Sequence, residues 1–121
     1  YLARTDEEEI QRQVLPALCN LSFHDANKIP MCRNGGLATL GRYIRDTNYE
    51  LSKLACATIA NLAEMAVNFD LIAESNALPN LVATLQCPNE EVKREGARAL
   101  GNLSANIELG DVVLREGALL S

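Results

Sequence analysis

The chain contains no tryptophan, one histidine (His24), and only three tyrosines and two phenylalanines. A core built from it must be aliphatic, and its abundant Ala and Leu favour helix over strand. No apolar run approaches the ~20 residues needed to cross a bilayer, so direct membrane insertion is not expected. The opening stretch YLARTDEEEI is acidic and has no apolar run of the kind a secretory leader carries. Cationic excess is missing as well. The net charge of −5 argues against nonspecific binding to nucleic acid or to an anionic membrane surface. Cys19, Cys32, Cys56 and Cys87 form no CxxC pair, and with a single histidine they make no zinc cluster. They read as reduced thiols of an intracellular protein, cytoplasmic or nuclear.

Signatures of catalysis are also lacking. His24 stands beside Asp25 in the link SFHDANK. Chain neighbours do not make a positioned dyad, and no Ser or Cys nucleophile motif accompanies them. RNGG is a helix stop, not a phosphate loop. The run DEEE is most simply the dipole complement of a helix start, not a calcium site. Neither enzymatic activity nor a cofactor is expected.

What the sequence does have is a repeat. With 48% apolar and 22% charged residues, its 121 residues can form one compact domain with a modest core. Asn20 in CNLS, Asn61 in ANLA and Asn102 in GNLS recur at a step of 41 residues. Leu21, Leu62 and Leu103 follow them; Leu18, Ile59 and Leu100 precede them. Gly36, Ala77 and Ala118 each precede a leucine, and Ile10, Leu51 and Val92 correspond, with no insertion anywhere.

Each unit reads as three helices. The longest runs over about 7–22, 48–63 and 89–104, with Ile10, Val14, Leu18 and Leu21 at helical spacing on the core face of the first copy. Thr5 and Asp6, then Asp46 to Asn48, then Pro88 and Asn89 supply initiating chemistry. A short helix follows at about 26–34, 67–75 and 108–116, stopping at NGG, SNA and EGA. Gly or Asn there is expected to take the left-handed backbone of a helix end. A second short helix covers about 37–45 and 78–86. Pro79 and Pro30 are expected near helix starts. One-sided short helices bury that side by stacking, which predicts a superhelical rod with a continuous core; a four-helix bundle is the simpler alternative.

GGLATL, NALPNLVATL and VKREGARALGNLSAN…VVLREGALL resemble armadillo repeats, and the resemblance covers essentially the whole chain. HEAT repeats are the nearest other family; the split short helices with a glycine corner favour armadillo. The resemblance implies an all-α, right-handed superhelical armadillo-repeat solenoid. Residues 1–121 form a single segment, with units at about 1–23 (partial), 24–64, 65–105 and 106–121 (partial). Three full units would need slightly more chain, so a segment of a longer solenoid is expected, with uncapped ends.

The candidate site follows from the repeat. Asn20 lies about 200° around the helix from Leu18, away from the core face. Glu9, Gln13 and Pro16 share its stripe, as do Glu50, Leu54 and Ala57 with Asn61, and Glu91, Glu95 and Arg98 with Asn102. An amide offers both donor and acceptor, as an extended peptide backbone requires. The same amide can instead bond neighbouring backbone and hold the stack. The armadillo resemblance implies the first use, with this asparagine gripping a bound extended segment. Family members that take basic import signals place Trp four residues before the asparagine; here Pro16, Ala57 and Arg98 stand there. Arg12, Lys53 and Arg94 form a second ladder about 80° to one side, joined by Arg98. It suits an acidic partner, unless Glu9, Glu50 and Glu91 neutralise it through i,i+3 pairs. Pro16 removes a hydrogen bond to the Arg12 carbonyl, either bending the helix locally or freeing a carbonyl for a ligand. The expected function is a protein-interaction scaffold. The alternative is a spacer or assembly module whose YLAR and GALLS ends associate head to tail.

Overall fold

The computed structural model describes the backbone of residues 2–120 and the side chains of residues 9–10 and 12–105. The described backbone consists of helices joined by short turns, without strands. The helices are α1 (Leu2–Leu21), α2 (Asp25–Arg33), α3 (Gly36–Tyr43), α4 (Tyr49–Leu62), α5 (Phe69–Glu74), α6 (Ala77–Ala83) and α7 (Glu90–Leu120). A 3-10 turn, Ala66–Asn68, leads into α5, and another, Thr84–Gln86, ends α6. The long helices lie side by side, α4 packing on both α1 and α7, while α3 and α6 pack on each other behind them.

The α4 and α7 starts follow the sequence chemistry. The Asn48 side-chain oxygen accepts from the Glu50 and Leu51 amides at 3.0 and 3.4 Å. The Asn89 oxygen accepts from the Val92 amide at 3.0 Å. Both satisfy amides that a first helical turn leaves unpaired. α1 departs from expectation: it begins at Leu2 and runs through Thr5, Asp6 and Pro16 without interruption. Pro30 lies in the middle of α2, whereas Pro79 falls in the first turn of α6.

The corners differ from one another. Gly35, between α2 and α3, adopts the left-handed conformation at φ 88°. At SNA the expectation fails, because Ser75 is extended and Asn76 is right-handed. There the Ser75 hydroxyl makes the turn, donating to the Ile72 carbonyl at 2.7 Å and accepting from the Ala77 amide at 3.1 Å. The third break, expected near 105–107, is absent: α7 is a single helix of 31 residues. In the first two copies an asparagine amide caps the end of the long helix. Asn27 donates to the Leu21 carbonyl at 3.0 Å and Asn68 to the Leu62 carbonyl at 2.8 Å. The corresponding residue in α7 is Leu109, which has no donor. Without a cap that satisfies the orphaned carbonyl, the helical hydrogen bonds continue.

Leu15, Leu40, Ile44, Leu51, Ile59, Leu62, Ile72, Leu81, Val92 and Leu103 form the aliphatic core. The predicted core face of the first copy is only partly covered. Ile10 is 60% exposed and Leu21 50%, whereas their counterparts Leu51, Val92, Leu62 and Leu103 are buried. In the later copies the preceding unit covers this face, and α1 has no such cover among the described residues. No single helix among them is long and apolar enough to cross a membrane.

Candidate functional site

Helix α4 presents a narrow strip to solvent. Tyr49 and Glu50 are exposed, Lys53, Leu54 and Ala57 are half-buried, and the remainder of the helix is buried. Four of these five lie on the stripes predicted from periodicity. The asparagine rungs differ in exposure: Asn20 is exposed, Asn102 half-buried, and Asn61 buried at 3% exposure. Asn61 donates to the Ser22 hydroxyl at 2.9 Å, and Ser22 donates in turn to the Cys19 carbonyl at 2.6 Å. Asn102 donates to the Ala60 carbonyl at 2.9 Å. Both amides therefore reach back to the preceding unit, the stacking use of an amide.

Asn68 and Asn80 do the same, to the Lys28 and Gly41 carbonyls at 3.1 and 3.0 Å. Periodicity-based selection of the site missed Asn68, although Asn27 and Asn68 also stand 41 residues apart and are the readable signal for it. Replacing Asn61 by Ala removes a buried hydrogen bond and should cost about 1–2 kcal/mol. In a double-mutant cycle with Ser22→Ala the losses should fall short of additive, which urea denaturation of the four proteins checks.

Two of the four basic positions, Lys53 and Arg98, are neutralised by glutamates. Lys53 pairs with Glu50 at 3.2 Å and with Glu91 of α7 at 3.3 Å, and these partners hold its pKa above the ordinary lysine value. Arg98 pairs with Glu95 at 2.9 Å, lies 3.8 Å from Glu64, and donates to the Ala57 carbonyl at 3.3 Å. Arg12 and Arg94 are exposed, and Arg94 forms no ion pair with any described residue. Pro16 is exposed at mid-helix. The side chains of Asp6, Glu7 and Glu8, and of the YLAR and GALLS ends, lie outside the described residues.

A charged group that sequence reasoning missed lies on α2. Lys28 is only 3% exposed and bridges Asp25 at 2.6 Å and Glu64 at 3.0 Å. Its hydrogen bond to Asp25, then that to Glu64, raises its pKa against the opposing effect of burial. The bond from Lys28 lowers the pKa of Asp25. The stabilisation is therefore present at neutral pH. It is lost as pH falls through the lowered Asp25 value or rises through the raised Lys28 value. Repetition carries no cue to this pair, since Phe69 and Ala105 are the next counterparts of Lys28 and Glu64.

The cysteines are unpaired. Burial pushes Cys56 up to about 12 and Cys32 up to about 11, which leaves almost no thiolate at neutral pH. Cys87 is half-buried and lines a cleft of about 350 Å³ with Tyr49, Thr84 and Pro88. Native protein should show one fast-reacting thiol towards a disulfide reagent, and Cys87→Ser should abolish that phase. No cluster of three His, Cys, Asp or Glu able to hold a metal occurs among the described residues.

Stacked helical units tied by hydrogen bonds between residues about forty apart define an all-α repeat solenoid. Residues 66–105 match the family described as Armadillo/beta-catenin-like repeat. Vacuolar protein 8 of Schizosaccharomyces pombe is 30% identical over 108 residues, 88% of this chain and 20% of that protein. A crystal structure of an engineered protein aligns at a TM-score of 0.75 and 26% identity, over 81% of this chain and 40% of that one. The chain thus carries an armadillo repeat over residues 66–105, and its stacked helices have the fold of an armadillo solenoid. It spans about a fifth of the length of the curated relative it matches.

Proposed function

We propose that this chain is a protein-interaction scaffold without catalytic activity, binding an extended segment of another protein along the face of α1, α4 and α7. The observation carrying this reading is the strip on α4. The part of this central helix open to a partner is largely the stripe that periodicity selects, flanked by Asn20 on α1 and Asn102 on α7. Asn20 and Asn102 grip the main chain, with Pro16, Ala57 and Arg98 beside them, while the buried Asn61, assigned to the ladder from periodicity, serves the stack instead. The amide hydrogens of Asn61 and Asn102 that hold the stack also fix the orientation of each side chain. Arg12 and Arg94 bias the face toward acidic ligands, while Lys53 and Arg98 contribute less because glutamates already pair with them. Four unpaired thiols support work in the cytoplasm or nucleus.

The test is binding of extended acidic and neutral peptides, followed by fluorescence anisotropy at two salt concentrations. Changing Asn20 and Asn102 to Ala should weaken binding about tenfold, or about 1.4 kcal/mol, while circular dichroism keeps its helical form. Unchanged affinity removes the ladder from the mechanism. A second reading draws on the exposed Ile10 and Leu21 of α1. As an assembly module, the chain would dock a second copy head to tail there. Sedimentation should then show concentration-dependent association that Ile10→Glu with Leu21→Glu abolishes.

A further inference from the structure

We propose that Asn34–Gly35, the corner between α2 and α3, is a site of spontaneous covalent modification, converting Asn34 to aspartate and isoaspartate. Asn34 is the one asparagine in the chain followed by glycine. It is exposed, and its side-chain amide makes no hydrogen bond among the described residues. By contrast, the side chains of Asn27, Asn48, Asn61, Asn68, Asn80, Asn89 and Asn102 are all engaged. Gly35 has a left-handed backbone, and nothing lies within 4 Å of where a side chain would start. Its amide nitrogen, the nucleophile of the reaction, has no acceptor among the described residues. At the corner the Asn34 backbone N–H donates to the Pro30 carbonyl at 3.0 Å, leaving the side chain unengaged. The exposed Asn34 side chain is thus free to turn toward the unengaged Gly35 nitrogen.

The step balances with water alone. The Gly35 nitrogen gives up its proton and bonds to Asn34 Cγ. The Cγ–Nδ2 bond breaks, and the amide nitrogen leaves as ammonia, closing a cyclic imide. Water then opens either carbonyl. One opening gives aspartate; the other gives isoaspartate, whose main chain runs through Cβ and Cγ. The product carries a new negative charge beside Arg33 and, in the iso form, a longer main chain at the corner.

The experiment incubates native and urea-unfolded protein in parallel at mildly alkaline pH. Each is then digested briefly with trypsin against an unincubated control. Cleavage after Arg33 and Arg42 releases residues 34–42, whose only amide side chain is that of Asn34. The native protein should accumulate the amide-to-acid mass gain in this peptide at a rate within severalfold of the unfolded chain. The product should split into two chromatographic forms, and peptides holding Asn61, Asn68 and Asn102 should stay unmodified. Asn34→Gln should lose the conversion, and Gly35→Ala should slow it severalfold. A native rate far below the unfolded rate, or equal gain at the buried asparagines, would overturn the proposal.

Discussion

Replacing Asn68 by Asp should bring the protein close to unfolding at neutral pH. Asn68 is fully buried, and its side-chain nitrogen donates both to the Leu62 carbonyl at 2.8 Å and to the Lys28 carbonyl at 3.1 Å. A carboxylate has no proton to give, so it would face two carbonyl oxygens with its own charge out of water. An uncompensated buried charge costs about 3–5 kcal/mol, against a total stability of about 5–15 kcal/mol for a domain. The Asn68 oxygen has no partner, so no donor already waits there to receive the charge. Asn68→Leu, which loses both bonds but adds no charge, should cost less. The sign of the pH effect separates the two. Burial would raise the folded-state pKa of the introduced carboxyl above its unfolded value, so the folded form holds its proton longer. The Asp variant should therefore regain stability as pH falls through that raised value, while the Leu variant should not. Urea denaturation followed by circular dichroism, near neutrality and at mildly acidic pH, makes the comparison.

Gly96→Val should be nearly as damaging, about 3 kcal/mol, for the opposite reason: excess volume in place of a missing donor. Gly96 is buried inside α7, where alanine would ordinarily gain about 1 kcal/mol. Here a β-carbon would lie 1.9 Å from the Thr84 hydroxyl and 3.0 Å from Thr84 Cβ. Thr84 is itself buried, with its hydroxyl donating to the Leu81 carbonyl, so it cannot simply turn away. Even Gly96→Ala should destabilise, and Thr84→Ala in that background should recover much of the loss. Chemical denaturation of the single and paired variants tests this directly. A stabilising Gly96→Ala would mean that helix propensity outweighs the contact.

These two residues mark what could be read from the sequence and what could not. The course of α4, the Asn48 and Asn89 caps and the Gly35 corner follow from local chemistry, and local chemistry is written in neighbouring letters. The aliphatic core followed too, because counterparts of one position occupy equivalent places in the stack. What escaped depends on a single copy. Lys28 is buried because Glu64 meets it, and neither has a like counterpart in the next unit. The unbroken course of α7 turns on Leu109 standing where Asn27 and Asn68 stand earlier. The face of α1 stayed exposed because burial at Leu51 or Val92 belongs to a neighbouring unit and not to the residue. Asn61 was read from its angle on an isolated helix, and the angle cannot say how closely the next helix approaches.

Among the described residues, the amide bonds between units all run in one direction. Asn61, Asn68, Asn80 and Asn102 supply the donors, and Ser22, Lys28, Gly41 and Ala60 receive them. On a growing chain the receiving groups leave the ribosome first. Each new module thus meets a finished template as it emerges, and synthesis and assembly can proceed in the same order.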